Sequence, residues 1–227
     1  MNENRILYYH TLIPGCRAIR FILEDYKIPY RSIPTQVWNP TDAFHQLSPF
    51  GDLPVLCESQ HAYVGLSPCL EYLADHHCHR GAHLMGKNAV TKGESRRLIQ
   101  LFQNQFFNQV IETIVFEKAY PKEMQLKYDP DLDAIREGIK ALKEYCGYFS
   151  TLIENRYNLV SDQVLGADMV AACSFSLLDF FGHLNWSDYR PLKEWYLRIK
   201  SKPAFRALLE DKIYGFTPSK FYKNLDF

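Results

Sequence analysis

The sequence has no excess of charge of either sign, since 26 lysines and arginines balance 26 aspartates and glutamates. A nucleic-acid surface or a polybasic membrane anchor needs such an excess, so we expect neither kind of partner. No apolar run approaches the ~20 residues that cross a bilayer, and no leader pattern precedes the first strand-like run. We therefore expect a cytoplasmic globular protein with no membrane insertion.

Motifs for disulfide, phosphate and metal chemistry are also missing. The six cysteines include no Cys-x-x-Cys pair, which is typical of free thiols in a reducing compartment. No glycine-rich phosphate loop occurs, so nucleotide binding by this chain has no support. His76, His77, Cys78, His79 and His83 lie close together in sequence, but no carboxylate stands at ligand spacing. We expect no metal and no resident cofactor.

The first third of the chain alternates strand-like and helix-like segments. Ser67-Pro68 has the residue types of a helix cap and of a first helical position. The order β-α-β-α-β-β-α indicates a small α/β domain with mixed strand pairing. The expected strands cover residues 6–10, 30–38, 54–57 and 62–64, and the first two helices cover residues 16–26 and 43–47.

From residue 83 onward the pattern is helical throughout. Residues 167–181 are almost all apolar or small, which is typical of a helix at the centre of a bundle. We predict an α/β domain over residues 1–80, an all-α domain over 81–210 and an aromatic tail over 211–227. The other expected helices cover residues 94–117, 130–154, 191–201 and 203–209.

One segment carries a specific motif, Ser48-Pro49-Phe50-Gly51-Asp52-Leu53-Pro54-Val55-Leu56. It resembles the N-P-x-G-x-V-P-x-L segment of the glutathione S-transferase superfamily, in which a thioredoxin-like domain precedes a helical bundle. Gly166-Ala167-Asp168 and Lys202-Pro203-Ala204-Phe205 resemble motifs of the family's helical domain. The resemblance covers essentially the whole chain. It implies a cis Leu53-Pro54 bond, next to which the backbone would face glutathione.

The family's thiol-activating position is altered in this chain. Aligning Arg17-Ala18-Ile19-Arg20 with the family's R-x-x-R pattern places Ile13 at the reactive position. A hydrocarbon can neither donate a hydrogen bond to a sulfur nor attack one. Cys16 is a candidate for the role, because thiols at helix N-termini can have a low pKa. The other possible donors are Tyr8, Tyr9 and Thr11. For the two tyrosines the alternative is packing on the sheet.

The position that holds the γ-glutamyl end of glutathione is altered as well. The family places an acidic residue followed by Ser at a helix N-terminus, where the dipole favours an anion. Gly65-Leu66 occupy these positions here, or Leu66-Ser67 after a slip of one residue, so a carboxylate is missing in either register. If glutathione still binds as a substrate or ligand, the resemblance assigns Leu53, Pro54, Leu66 and Ser67 to it.

The helical half resembles one branch of the superfamily more closely. Val115-Phe116-Glu117-Lys118-Ala119-Tyr120 and Tyr222-Lys223-Asn224-Leu225-Asp226-Phe227 match segments of the alphaproteobacterial FtsZ-localized protein A group, GST-fold proteins of cell division. The resemblance implies a homodimer at the division site that binds the tubulin-like GTPase FtsZ and modulates its filaments. A non-catalytic adaptor is therefore our first hypothesis, and a transferase acting on small electrophiles is the alternative. Disulfide exchange through Cys16 is a third hypothesis, but it lacks a partner thiol.

The tail carries apolar side chains that are costly to leave in water. We consider two arrangements, a partner-binding face and docking on the chain's own helical domain. Trp38, at a strand end before Asn39-Pro40, has the same two interpretations, an interface anchor or a core residue. The tail residues of the partner-binding hypothesis are Phe221, Tyr222, Leu225, Asp226 and Phe227.

Overall fold

The structure is a computed structural model that describes residues 5–77, 83–154 and 156–225. Its strands are β1 (Arg5–Tyr9), β2 (Arg31–Pro34), β3 (Val55–Glu58) and β4 (His61–Val64). They form one mixed sheet in the order β2-β1-β3-β4, in which β1 and β2 are parallel and the other two pairs antiparallel. Leu7 and Leu56 lie opposite each other in this sheet and are fully buried.

The helices of this part of the chain are α1 (Pro14–Asp25), α2 (Asp42–Leu47) and α3 (Leu66–His76). The predicted order of strands and helices is confirmed. The predicted start of α3 is wrong, because Gly65 is its cap, and Ser67 and Pro68 lie inside the first turn. Gly65 has a φ of 90°, which favours glycine, and it turns the chain from β4 into the helix earlier than expected. Pro68 is tolerated because first-turn amides need no helical acceptor.

The rest of the described chain consists of helices joined by turns and bends and contains no strand. α7 (Gly166–Phe180) is buried along its whole length, as predicted. The Asp168 carboxylate anchors its start by accepting hydrogen bonds of 2.9 Å from the amides of Leu159 and Leu165. Among the described residues, no helix is both long and apolar enough to span a membrane. The other helices are α4 (Ala89–Gln103), α5 (Glu117–Glu123), α6 (Leu132–Glu154), α8 (Arg190–Lys200) and α9 (Arg206–Leu209).

The single helix predicted over residues 94–117 is wrong. α4 ends at Gln103, and a π-helix over Phe107–Phe116 leads into α5. The Thr113 hydroxyl, inside the π-helix, donates to the backbone oxygens of Gln109 and Val110 and so competes with regular α-helical bonding. The widened turn faces Gly138 of α6, where a Cβ atom would lie 2.2 Å from the Thr113 hydroxyl oxygen. The two helices therefore cross at close range.

Candidate functional site

A cleft of about 430 Å³ lies between the start of α1, the start of α3 and the π-helix. Strands of the sheet lead into both helices: α3 begins almost directly after β4, and α1 follows β1 after a short loop. Most of the lining is apolar. The lining residues are Ile13, Pro14, Gly15, Val37, Gly51, Asp52, Leu53, Val64, Gly65, Leu66, Phe102, Gln103, Phe107, Phe116, Tyr120, Val170 and Ser174.

Ile13 occupies the cap position of α1, with an extended backbone and no capping side chain. The helix starts very close to α3, since a Cβ atom on Gly15 would lie 3.3 Å from the Leu66 Cβ and 3.6 Å from the Pro54 ring. Ile13, where the resemblance implies a missing thiol-activating group, thus lies at the N-terminus of α1 and lines the same cleft as Leu66. Neither side chain can donate a hydrogen bond to a thiolate.

Cys16 does not line the cleft. Its side chain is fully buried, and this burial raises the pKa of the thiol far above its ordinary value despite a backbone hydrogen bond. The interpretation of Cys16 as a low-pKa nucleophile is therefore wrong. The thiol lies in the first turn of α1, which packs against α7 and α3, and the loss of water there outweighs the helix N-terminus.

The four residues assigned to glutathione are only partly brought together. The Leu53–Pro54 bond is cis, as the resemblance implied, and Leu53 and Leu66 line the cleft. Pro54 is buried beneath them. Ser67 is exposed and donates to the Gln103 side-chain oxygen over 2.7 Å, outside the cleft lining.

Tyr120 is a cleft residue that the sequence analysis missed as a donor. It contributes a hydroxyl to a mostly apolar lining, and burial raises the pKa of that hydroxyl. It follows the π-helix, whose wide turns could not be anticipated, and the helical pattern alone gave no sign that it would reach the cleft. The three donors considered from the sequence line a different cleft: Tyr8, Tyr9 and Thr11.

Trp38 belongs to a cluster of three rings. Its ring centroid lies 5.3 Å from that of His10 and 5.5 Å from that of Tyr120, both edge to face. The Trp38 side chain is only half-buried. The ring contacts hold it in place, and part of its surface stays open to solvent, so the interface interpretation of this residue stays a prediction.

The tail docks on the chain's own fold. Tyr222 is fully buried, so its assignment to an exposed partner-binding face is wrong. Its hydroxyl receives a hydrogen bond from Arg17 and donates one to the backbone oxygen of Leu208. Phe221 remains 43% exposed, and Leu225 is partly buried against the core. Asp226 and Phe227 lie outside the described residues.

In the structure a carboxylate from a distant strand lies beside two residues of the histidine cluster, which the sequence spacing did not indicate. Glu58 of β3 lies with His76 and His77 so that one ligand atom of each is within 4.8 Å of the others. Arg5 donates to both Glu58 oxygens, and its Nη2 lies 3.1 Å from His77 Nε2. This guanidinium would repel a metal cation, so we assign the group to an ion-pair cluster. Cys78 and His79 lie outside the described residues.

Comparison with solved structures shows to which fold class the chain belongs. A glutathione S-transferase from Rhodospirillum rubrum F11 is 33% identical, with a TM-score of 0.92 over 98% of this chain and 100% of that chain. One from Sinorhizobium meliloti 1021 is 31% identical, with a TM-score of 0.93 over 99% and 100%. The chain has the glutathione S-transferase fold, with a thioredoxin-like part followed by a helical part, as predicted. No model of a protein family matches it.

One relative is more specific. FtsZ-localized protein A of Caulobacter vibrioides (strain NA1000 / CB15N) is 32% identical over 231 residues, which cover 100% of both chains. The solved structure of FzlA from C. crescentus has a TM-score of 0.92 over 99% of this chain. The chain belongs to the FtsZ-localized protein A family.

Proposed function

We propose that this protein is a GST-fold adaptor without transferase activity, which binds the division GTPase FtsZ and modulates its filaments during constriction. It acts as a cytoplasmic homodimer concentrated at the division site. The observation that carries the proposal is the apolar lining at Ile13 and Leu66, where a transferase needs a donor and a carboxylate. Its partner is suggested by the full-length match to a protein named for its localisation with FtsZ.

The surface for FtsZ includes the loop of Trp38 and the tail. Gln36 and Asn39, on either side of Trp38, line one cleft together with Tyr214 at the base of the tail. This arrangement supports a single binding face that contains both segments. We include Phe221 and Leu225 of the tail in this face. Asp226 and Phe227 are included only because they follow Leu225 in the sequence. Half-exposed aromatic side chains held by ring contacts are typical interface anchors.

Co-sedimentation with GTP-assembled FtsZ filaments tests the adaptor. We expect wild-type protein to pellet with filaments, and Trp38→Ala or Phe221→Ala to weaken this binding at least five-fold, the loss of roughly 1 kcal/mol that truncating an interface anchor causes. Leu132→Ala is the matched control, because Leu132 is 62% exposed on α6 and lies outside this face. Equal pelleting with and without FtsZ would contradict the proposal.

The tail requires a careful truncation. Removing residues 222–227 would also remove the buried Tyr222 and its bond to Arg17, so lost binding could reflect a damaged fold. Removing residues 225–227 leaves those contacts in place. Full binding by this shorter truncation would exclude the last three residues from the interface.

The transferase alternative has one favourable feature, the Tyr120 hydroxyl in the cleft. Titration calorimetry with glutathione and a standard conjugation assay separate the two functions. We expect millimolar or absent binding and no turnover. Micromolar binding, with turnover that Tyr120→Phe abolishes and Cys16→Ala preserves, would establish the transferase instead.

The homodimer rests on the resemblance and on Phe50, which is 93% exposed in the loop before β3. So large an exposed ring is costly in water and suits a contact between copies. Sedimentation equilibrium should give a dimer that Phe50→Ala weakens. A monomer at all concentrations would contradict this part of the proposal.

A further inference from the structure

A second cleft, of about 580 Å³, lies beside the first. His10, Trp38 and Tyr120 form a cluster of rings between the two, since His10 lines the second cleft and Tyr120 the first. The ends of β1 and β2 form its floor, and Glu123 and Tyr214 close its sides. Its volume is that of a small-molecule site.

The lining of the second cleft combines apolar side chains with many polar groups, and one of its residues is acidic. Hydroxyls and side-chain amides make up most of its polar groups, and none of its lining residues is Lys, Arg or Asp. Glu123 alone among them is acidic. A ligand for such a surface needs hydrogen-bonding groups and, opposite Glu123, a positive charge.

The geometry around His10 fixes the orientation of this carboxylate. The Leu12 amide donates to His10 Nδ1 over 3.3 Å, which assigns the ring proton to Nε2. That nitrogen lies 3.0 Å from Glu123 Oε2 and donates to it. Through this bond His10 orients the Glu123 carboxylate. Because both ring nitrogens are engaged, His10 is not available as a general base.

Two cationic side chains adjoin residues of this lining but are held by other groups. Arg20 stacks on the Tyr9 ring, 4.7 Å from its centroid, but its guanidinium is bonded to Asp211 over 2.8 Å. The Lys122 ammonium lies 4.3 Å from the centroid of Phe216. Neither side chain lines the cleft.

We propose that the second cleft binds an organic cation, an ammonium or guanidinium group on a flexible chain. Glu123 holds the charge, Tyr214 lies against the aliphatic part, and the hydroxyls of Thr11 and Thr35 accept the remaining N–H bonds. The cation comes from a free polyamine or from a lysine or arginine side chain of another protein. This inference does not rest on the proposed function.

Titration calorimetry of the full chain with spermidine tests the site. We expect one molecule bound per chain, and Glu123→Gln to weaken binding about ten-fold by removing a charge-assisted hydrogen bond. The glutamine oxygen still accepts from His10, so the variant should unfold at the wild-type temperature. Glu137→Gln, at an exposed glutamate on α6, is the matched control and should bind like wild type.

Two further probes test whether the cation is a free polyamine or a protein side chain, and whether the site selects for positive charge. Binding of N-acetyl-lysine amide in preference to spermidine would support the site and assign it to a protein side chain. Glutarate, which carries negative charge, should not bind. Equal spermidine affinity in wild type and Glu123→Gln, absence of binding by both amines, or binding of glutarate would overturn the proposal.

Discussion

Arg17 of α1 donates a hydrogen bond to the hydroxyl of Tyr222 in the tail, with 2.8 Å between Nη2 and the oxygen, and both side chains are buried. The same nitrogen donates to the Ser176 hydroxyl of α7, and Nη1 is bonded to Asp211. A single cation thus joins the first helix, the central helix and the tail. Tyr222 is thus part of the interior, and exposed side chains of the tail such as Phe221 remain available to a partner.

Removing the Tyr222 hydroxyl should measure this link. Tyr222→Phe keeps the ring but loses the bonds to Arg17 and Leu208, so we expect the free energy of unfolding to fall by about 1–3 kcal/mol. Urea unfolding followed by circular dichroism is the measurement. Tyr214→Phe, at an exposed tyrosine, should leave stability unchanged. A loss of similar size in both variants would show that the buried hydroxyl contributes nothing specific.

A second buried charge pair holds the other side of the tail. Lys200, fully buried, donates to the Asp179 carboxylate over 3.0 Å and to the backbone oxygen of Phe221 over 3.2 Å. Asp179 also accepts from the indole of Trp186 over 3.0 Å and from the hydroxyl of Tyr196 over 3.2 Å. This carboxylate therefore connects α7, α8 and the tail.

Breaking that pair from one side should be severe. Asp179→Asn leaves the Lys200 ammonium buried without its counter-charge, so we expect a loss of about 3–5 kcal/mol in the free energy of unfolding. Adding Lys200→Met removes the uncompensated charge and should recover part of the loss. Glu194→Gln, at the exposed pair with Arg190, is the control and should unfold like wild type. A double variant less stable than Asp179→Asn would contradict this explanation.

Local patterns predicted much of this fold, and long-range contacts account for what they missed. Strands and helices follow from periodicity and from proline and glycine breaks, which act over a few residues. The bond between Arg17 and Tyr222 joins residues 205 positions apart, so no local pattern indicates it. The same holds for Glu58 beside His77. Ile13 could be aligned because it adjoins a motif, whereas the burial of Cys16 depends on α7, far along the chain.

Thiol labelling should separate burial from sequence position. Cys57 is partly exposed, whereas Cys16 is fully buried and burial raises the pKa of its thiol. We expect iodoacetamide at pH 8 to modify Cys57 at least ten-fold faster than Cys16 in the native protein, as judged by peptide mass spectrometry, because only the thiolate reacts. Both should react alike in urea. Rapid native modification of Cys16 would restore it as a candidate nucleophile.

His183 should make the protein sensitive to mild acid. Burial, together with the Lys118 ammonium 3.1 Å away, lowers the pKa of His183 to about 4. In the unfolded chain its pKa is about 6.5. Between these values the unfolded chain binds a proton that the folded chain does not, so stability present above pH 6.5 is lost as the pH falls toward 4. The slope from this one group is at most about 1.4 kcal/mol per pH unit.

His183→Gln should flatten the dependence of unfolding free energy on pH between 6.5 and 4.5. Below that range the pH dependence of stability comes from Glu58. Burial raises the pKa of this carboxyl, but hydrogen bonds from Arg5, His77 and Tyr72 outweigh burial and lower it to about 2. Its contribution is present above pH ~4.5 and is lost as the pH falls through 2. His61→Gln, at an exposed histidine on β4, should retain the wild-type profile. Identical slopes of unfolding free energy against pH in wild type and His183→Gln would contradict this explanation. They would mean that His183 binds a proton equally well in the folded and the unfolded chain, so that its burial beside Lys118 does not disfavour the charged ring.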